Sequence, residues 1–206
     1  MNPHGRGGRE MESPRKAVFF DRDGTITREG EWIRHPGALE LVPGAGAAIA
    51  RLSDAGYASV MFTNQSAVAR GLITEAQLGV IHARLAELLA AEGAHLDGIY
   101  WCPHHPTEGV GAYRVECDCR KPKPGLVLRA AAEMNLDLPR SWCVGDMERD
   151  LAAGAAAGLP GILVATGKGV EEEARMRAAG HPPQWFAPDL TAAAETILRE
   201  ARVRSV

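Results

Sequence analysis

The sequence predicts an α/β protein with a three-layer, Rossmann-like architecture, in which a parallel sheet carries helices on both faces. Short and nearly continuous apolar runs recur along the chain, as is typical of strands buried on both faces of a parallel sheet. Ala- and Leu-rich segments with helical periodicity lie between these runs, and this alternation is the pattern of α/β folds. The length of 206 residues is enough for one domain with a sizeable core.

Each element can be placed from these patterns. The apolar runs predict strands at residues 17–20, 58–62, 98–101, 142–144 and 161–165, with a weaker strand at 185–187. The periodic segments predict helices at residues 44–54, 75–92, 125–134, 149–157 and 191–202. A capping box that begins at Thr74 and a glycine at position 158 support two of these boundaries. The Gly-Lys-Gly sequence at 167–169 is too short for a P-loop and is expected to be a loop.

The organisation of the chain is predicted to be simple. We expect residues 1–15 to form a disordered tail and residues 16–206 to form a single domain. No long insertion follows either of the first two strands, so no large cap domain is expected. The early residues lack the apolar run of a signal peptide, and no stretch approaches the roughly 20 apolar residues of a membrane span. These features predict a cytoplasmic protein, and we expect a monomer.

The charge balance restricts the kind of ligand. The net charge is -3 and charged residues make up 24% of the chain, so the sequence offers no strongly basic surface suited to nucleic acid. An anionic ligand must therefore be bound by a local group of residues.

Polar residues follow the predicted strands at the edge where parallel sheets bind ligands. Asp21 and Asp23 follow the first strand, and Asp146 follows the fourth. An aspartate has an unperturbed pKa of about 3.9, so Asp21 is ionised near neutral pH and can act as a nucleophile. A carboxylate that faces a phosphate at about 4 Å meets a repulsion of about 4 kcal/mol at an effective dielectric constant of 20. The site therefore requires cations.

The sequence supplies two sources of positive charge. Lys121 is a fixed cation, and Asp21 with Asp146 offers the hard oxygen ligands that magnesium prefers. Thr63 and Lys121 would hold the phosphate oxygens, while Asp23 could protonate the departing alkoxide and then activate water. This set predicts a magnesium-dependent phosphatase.

These residues resemble the four motifs of haloacid-dehalogenase-type phosphatases. The matching segments are Asp21-Arg22-Asp23-Gly24-Thr25, Thr63-Asn64-Gln65-Ser66, Lys121, and Gly145-Asp146 with Asp150. The resemblance implies that Asp21 forms an aspartyl-phosphate, that Asp23 is the acid and base, and that Asp146 and the backbone carbonyl of Asp23 bind magnesium. Met147 follows Asp146 where such enzymes often have a lysine, and it can offer magnesium only a backbone carbonyl. Asp150 either supports the site from behind or caps a helix.

Three cysteines and a histidine predict a second metal site. Cys102 and His104 form one close pair and Cys117 and Cys119 another, on either side of a twelve-residue loop. Three sulfurs and one nitrogen suit a tetrahedral zinc, and because all four ligands come from protein, the zinc would be structural. His105 is an alternative to His104, and reduced thiols without a metal are the alternative to a zinc site. We call residues 102–119 the zinc loop, and we expect it to place Arg120 and Lys121 against the substrate.

The zinc loop narrows the resemblance to D-glycero-D-manno-heptose 1,7-bisphosphate 7-phosphatases, which remove the 7-phosphate of that sugar. The related histidinol-phosphatases typically have a shorter loop between the two ligand pairs. The resemblance implies substrate contacts from a set of residues that follow the first two strands or precede Lys121: Glu29, Gly30, Glu31, Trp32, Asn64, Gln65, Ser66 and Arg120. Arg22 either contacts substrate or supports its turn, and Trp32 replaces a familiar tyrosine.

Two other functions remain as alternatives to this one. The first is a histidinol-phosphatase or another small-molecule phosphatase. The second, from a different class, is a zinc-stabilised binding module without catalytic activity. In such a module we would expect Asp21, Asp23, Lys121 or Asp146 to be replaced, and all four are present.

Overall fold

A sheet of six parallel strands forms the centre of the molecule. The structure, a computed structural model, describes residues 13–30 and 32–203. The strand order is β3-β2-β1-β4-β5-β6. The strands are β1 (Ala17–Phe20), β2 (Ala58–Asn64), β3 (Gly98–Cys102), β4 (Trp142–Gly145), β5 (Gly161–Val164) and β6 (Trp185–Ala187). All six predicted strands are confirmed, and their register is parallel throughout.

Helices cover both faces of this sheet. They are α1 (Ala45–Asp54), α2 (Ser66–Ala69), α3 (Glu75–Ala91), α4 (Gly125–Met134), α5 (Glu148–Ala156), α6 (Gly169–Ala178) and α7 (Leu190–Val203). Buried residues of α1, α3 and α7 pack in one core cluster, and those of α4 and α5 pack in a second cluster across the sheet. The predicted three-layer architecture is therefore confirmed.

The side chains of β1 alternate between the two core clusters, so this strand supports the helices on both faces of the sheet. Val18 and Phe20 belong to one core cluster, while Ala17 and Phe19 belong to the other. Successive side chains of a strand point to opposite faces of the sheet, so a strand buried on both sides must be apolar throughout. Burying one such aromatic side chain contributes about 1.5–3 kcal/mol. The second cluster is reinforced by an edge-to-face contact between Phe19 and Phe62, whose ring centroids are 6.0 Å apart.

The prediction missed α6 for a physical reason. Half of its residues are charged, and its buried residues are Gly169, Glu172 and Met176, so it lacks the apolar stripe that identifies most helices. Ion pairs one turn apart support it instead, between Arg175 and Glu172 and between Arg177 and Glu173. The helix begins within the Gly-Lys-Gly segment that was expected to be a loop.

The predicted capping box is present at the start of α3. Gln77 N donates to Thr74 Oγ1 at 3.1 Å and Thr74 N donates to Gln77 Oε1 at 2.8 Å, so the capping box is confirmed.

Most of the predicted tail lies outside the described residues, but Arg15 N donates to Asn135 O at 3.0 Å. Between residues 13 and 203, apart from 31, no large cap domain is present. No helix in this same part of the chain is long and apolar enough to cross a membrane.

Strands β2, β1 and β4 position the site. β1 lies between β2 and β4. The order of the strands reverses between β1 and β4, since β2 and β3 follow on one side of β1 and β4 to β6 follow on the other. In open parallel sheets, ligands bind beyond the carboxyl ends of the strands at such a switch point. The residues that follow β1, β2 and β4 therefore meet at one edge.

Candidate active site

Three buried aspartates surround the carboxyl ends of β1 and β4. Asp21 follows β1, Asp146 follows β4, and Asp150 lies in the first turn of α5. A carboxylate oxygen from each lies within 4.8 Å of the others, and all three residues are buried. The sequence predicted that Asp21 and Asp146 would meet, and the structure brings them together.

Lys121 is the buried cation of this cluster. Its Nζ lies 2.8 Å from Asp21 Oδ1 and 2.7 Å from Asp150 Oδ1, and it donates a hydrogen bond to Phe62 O at 2.9 Å. Burial alone would lower the pKa of Lys121, but the carboxylates of Asp150 and Asp21 raise it above its ordinary value. Lys121 is therefore charged at neutral pH and fixes both carboxylates.

Asp150 performs both of the roles that the sequence left open. Its Oδ1 is paired with Lys121, and its Oδ2 accepts a hydrogen bond of 3.1 Å from Met147 N at the start of α5. Because both oxygens are engaged by protein, Asp150 supports the cluster from behind. Met147 O accepts from Asp150 N at 3.0 Å, so this predicted magnesium ligand is used in the first turn of the helix.

The aspartate cluster fits the predicted magnesium ion. Burial, with a contribution from the charge of Asp21, raises the pKa of Asp146 to about 7. Its Oδ2 accepts from Lys168 N at 2.9 Å, while its Oδ1 is buried without a hydrogen-bond partner in the described part of the chain. One lysine does not balance three buried carboxylates, and hard oxygen ligands suit magnesium. Asp21 and Asp146 are therefore the side chains best placed to hold it.

Gly24 allows the loop after β1 to approach Asp146. Its φ is +83°, which favours glycine, and a Cβ built there would lie 2.2 Å from Asp146 Oδ2. Any side chain at position 24 would displace this carboxylate.

Asp23 has a different environment from the other acids. Its two carboxylate oxygens accept hydrogen bonds of 2.9 Å from Nε and Nη2 of Arg22, and Oδ2 also accepts one of 2.9 Å from Gln65 Nε2. The side chain of Asp23 was predicted to act as acid and base, and it lies outside the aspartate cluster. Arg22 is 2% exposed, so its guanidinium serves mainly to hold Asp23 in the wall of the site.

His82 is a supporting residue that the sequence did not reveal. It lies on α3, with Nε2 3.5 Å from Arg22 Nη1 and its ring 5.4 Å from the Trp101 ring, edge to face. Burial, assisted by the charge of Arg22, lowers the pKa of His82 to about 3. The neutral imidazole can therefore accept from the Arg22 guanidinium that orients Asp23.

This burial predicts a pH-dependent contribution of His82 to stability. An unfolded histidine titrates near pH 6.5, so below that pH the unfolded chain gains a proton that folded His82 does not take up until about pH 3. The contribution is therefore complete above pH 6.5 and is lost as the pH falls toward 3. Urea unfolding at several pH values should show the advantage of wild type over His82→Gln shrinking by up to a few kcal/mol between pH 7 and 4. A difference between wild type and His82→Gln that stays constant over this pH range would contradict the prediction.

The residues at the carboxyl end of β2 have two roles, to position other groups and to contact the phosphate. Thr63 Oγ1 accepts from Gln65 Nε2 at 2.9 Å, which leaves the hydroxyl proton of Thr63 available. Asn64 donates to Lys121 O and accepts from Lys121 N, each at 3.1 Å. The Asn64 amide was expected to contact substrate, but in the structure it clamps the backbone that carries the buried lysine.

A cavity of about 630 Å³, which we call the large cavity, opens beside Asp23. Its lining includes most of the predicted contact residues, namely Arg22, Glu29, Gly30, Trp32, Asn64, Gln65 and Ser66. It also includes Arg149 and Lys168, which the sequence did not single out. Lys168 Nζ pairs with Glu29 Oε1 at 3.0 Å. Glu31, another predicted contact, lies outside the described residues.

Arg120 was expected to contact substrate but lies outside the lining of this cavity. Its Nη1 donates to His104 O at 2.9 Å, so the guanidinium binds the zinc loop. It borders a smaller cavity of about 240 Å³ with Cys117 and Lys121. The sequence could not predict this orientation because it depends on the path of an irregular loop.

The four predicted zinc ligands converge. Cys102 Sγ is 3.5 Å from Cys117 Sγ, Cys117 Sγ is 3.2 Å from Cys119 Sγ, and His104 Nδ1 is 3.4 Å from Cys119 Sγ. Ligand atoms in a tetrahedral zinc–thiolate site lie about 3.8 Å apart for a Zn–S distance of about 2.3 Å. The four ligand atoms are thus compatible with structural zinc. The alternative ligand, His105, instead accepts hydrogen bonds in its own turn, from Thr107 N and Glu108 N.

The zinc loop packs against the wall of the large cavity. Val110 N donates to Ala69 O at 2.8 Å, and Glu108 forms an ion pair with Arg70. The Arg70 guanidinium lies 5.1 Å from the centre of the Trp32 ring, a cation–π contact. The loop is therefore connected to a residue that lines the cavity.

The comparisons with known proteins agree with this geometry. The HAD-hydrolase-like family profile matches residues 118–193, which include Lys121, Asp146 and Asp150. The fold, the aspartate cluster and the buried lysine define a magnesium-dependent phosphatase of the HAD-like class.

Close relatives identify the family within this class. The D-glycero-β-D-manno-heptose-1,7-bisphosphate 7-phosphatase of Pasteurella multocida is 42% identical over 165 residues, 80% of this chain and 89% of that protein. The Escherichia coli K12 enzyme of the same name is 42% identical over 159 residues, 77% and 83% of the two chains. The D,D-heptose 1,7-bisphosphate phosphatase of B. bronchiseptica, solved with magnesium and phosphate, is 38% identical with a TM-score of 0.78, covering 90% of this chain and 99% of that one. The chain belongs to the family of D-glycero-β-D-manno-heptose-1,7-bisphosphate 7-phosphatases.

Proposed function

We propose that this chain removes the 7-phosphate of D-glycero-D-manno-heptose 1,7-bisphosphate through an aspartyl-phosphate on Asp21. The main observation in support is the 2.8 Å ion pair between Lys121 and Asp21, beside a cavity of about 630 Å³ whose wall contains Asp23. The name of the relatives at 42% identity supports the choice of substrate.

In the first step, a carboxylate oxygen of Asp21 attacks phosphorus and the bond between phosphorus and the C7 oxygen breaks. Asp23 acts in its protonated form, which water activation in the second step restores, and gives this proton to that oxygen, so the sugar leaves as an alcohol. For this transfer one Asp23 oxygen must exchange its contact with Arg22 or Gln65 for the substrate. The Thr63 hydroxyl would hold one phosphate oxygen, and Lys121 would hold another by exchanging one of its three contacts for the phosphate.

In the second step, Asp23 takes a proton from water, whose oxygen attacks phosphorus. The bond between phosphorus and Asp21 breaks, which restores the carboxylate and releases inorganic phosphate. A magnesium ion held by Asp21 and Asp146 would supply positive charge that offsets the repulsion between carboxylate and phosphate. The backbone carbonyl of Asp23 is the further ligand that we propose for it.

A comparison of substrates tests the proposal. In the presence of magnesium, wild type should hydrolyse heptose 1,7-bisphosphate with a kcat/KM at least about tenfold above that for histidinol phosphate, a discrimination of at least about 1.4 kcal/mol. A preference for histidinol phosphate would overturn the choice of substrate in favour of that phosphatase. Inactivity on every phosphomonoester would favour a zinc-stabilised binding module.

We also propose that the protein acts in the cytoplasm as a monomer. None of its four cysteines forms a disulfide, as expected in a reducing compartment. Size-exclusion chromatography with light scattering would test the oligomeric state.

A further inference from the structure

One of the cations that line the large cavity forms no ion pair within the described part of the chain. Arg22, Arg149 and Lys168 line it together with the acids Asp23 and Glu29. The guanidinium of Arg22 is occupied by Asp23, and the ammonium of Lys168 is paired with Glu29 at 3.0 Å. Within residues 13–30 and 32–203, Arg149 has no ion pair or side-chain hydrogen bond.

The position of Arg149 is fixed by the same strand that delivers Asp146. β4 ends at Gly145, Asp146 follows, and Arg149 lies in the first turn of α5. It also borders an adjoining cavity of about 250 Å³ with Glu148 and Glu172, whose carboxylates are both paired with Arg175. An exposed arginine at this edge therefore faces the space that adjoins the catalytic cluster.

Arg120, the other cation that might bind a second anion, is already engaged. Its Nη1 donates to His104 O, and it is outside the lining of the large cavity. Burial lowers the pKa of Arg120, and so does the charge of Arg149. The two guanidiniums are therefore close enough to interact electrostatically. A positive charge that is not held in a protein ion pair attracts an anionic ligand.

We propose that Arg149 binds the phosphate group that the reaction leaves in place on a bisphosphate substrate. The inference rests on the proposed function, in which one phosphate is transferred to Asp21 and the other is not. The planar guanidinium can make two hydrogen bonds to such a phosphate. Arg149 would then be a specificity-determining residue that distinguishes a bisphosphate from a monophosphate.

The test compares kcat/KM for heptose 1,7-bisphosphate with kcat/KM for heptose 7-phosphate in wild type and Arg149→Gln. We expect the selectivity ratio to fall by about 10- to 100-fold, as for the loss of one charge-assisted contact. The loss should lie mainly in KM for the bisphosphate, and Arg149→Lys should restore part of it. Arg84→Gln is the matched control, because Arg84 is an exposed arginine of α3 paired with Glu87, and it should retain the wild-type ratio.

The possible failures can be distinguished. A wild-type ratio retained by Arg149→Gln, or lost in Arg120→Gln instead, would overturn this inference and leave the proposed function intact. A wild type that does not prefer the bisphosphate would overturn the proposed function itself. Circular dichroism of Arg149→Gln should match wild type, since the side chain is exposed.

Discussion

Replacement of Asp21 by Asn is expected to lower kcat by at least about 10³-fold, because it removes the nucleophile. The amide is close in size to the carboxylate, so packing should be preserved. Lys121 keeps its 2.7 Å ion pair with Asp150, and Asp146 loses a neighbouring negative charge that helps to raise its pKa. We therefore expect the metal-free variant to unfold within a few degrees of the wild-type temperature. Phosphate release and thermal unfolding of the same preparation measure both effects.

The Asp23→Asn variant separates the nucleophile from the acid and base. It retains Asp21, so an activated phosphomonoester whose leaving group needs no proton should still phosphorylate the enzyme. Hydrolysis of the intermediate should be slow because no base remains to activate water. Mass spectrometry after acid quenching should show covalent phosphate in Asp23→Asn and none in Asp21→Asn. Full turnover by Asp21→Asn, or phosphate on another residue, would contradict the assigned role of Asp21.

The sequence predicted the parts of the site that lie at strand ends. Asp21, Thr63 and Asp146 each follow or end an apolar run, and parallel strands bring their carboxyl ends to one edge. The zinc ligands were also predictable, because two close pairs with the chemistry of zinc ligands leave few other interpretations. In both cases a short segment of sequence contains the relevant information.

The parts that were not predicted depend on contacts between distant elements. His82 lies 60 positions from Arg22, and nothing near it in sequence distinguishes it from a packing residue. The use of Asn64 to clamp Lys121 likewise links residues 57 positions apart. Arg120 turns toward His104 O because the folded loop places that carbonyl within reach. Such orientations follow from the assembled structure and leave no periodic signal in the sequence.

The zinc loop should depend on its metal more strongly than any other surface segment of the chain. After Cys102, which ends β3, its only regular structure within the described residues is a single 3-10 turn at Gly111–Tyr113, so few backbone hydrogen bonds hold it. Without a cation, burial raises the pKa of Cys117 and the neighbouring Cys102 raises that of Cys119, whereas zinc binds thiols as thiolates. Structural zinc contributes on the order of 10 kcal/mol in small peptides.

Cys117→Ser should therefore remove stoichiometric zinc, open residues 103–119 to hydrogen exchange and lower the unfolding temperature. The main core clusters remain, so we expect the domain to stay folded. We expect kcat/KM to fall by about tenfold or more, because the loop supports Trp32 through Arg70 and is joined through Arg120 to Lys121. Cys143→Ala is the control, because Cys143 lies in the core outside the zinc cluster. That variant should keep its zinc and the protection of the loop. Unchanged zinc content, exchange and kinetics in Cys117→Ser would contradict a structural zinc site, whereas loss of zinc with unchanged kinetics would show that the loop does not support the cavity.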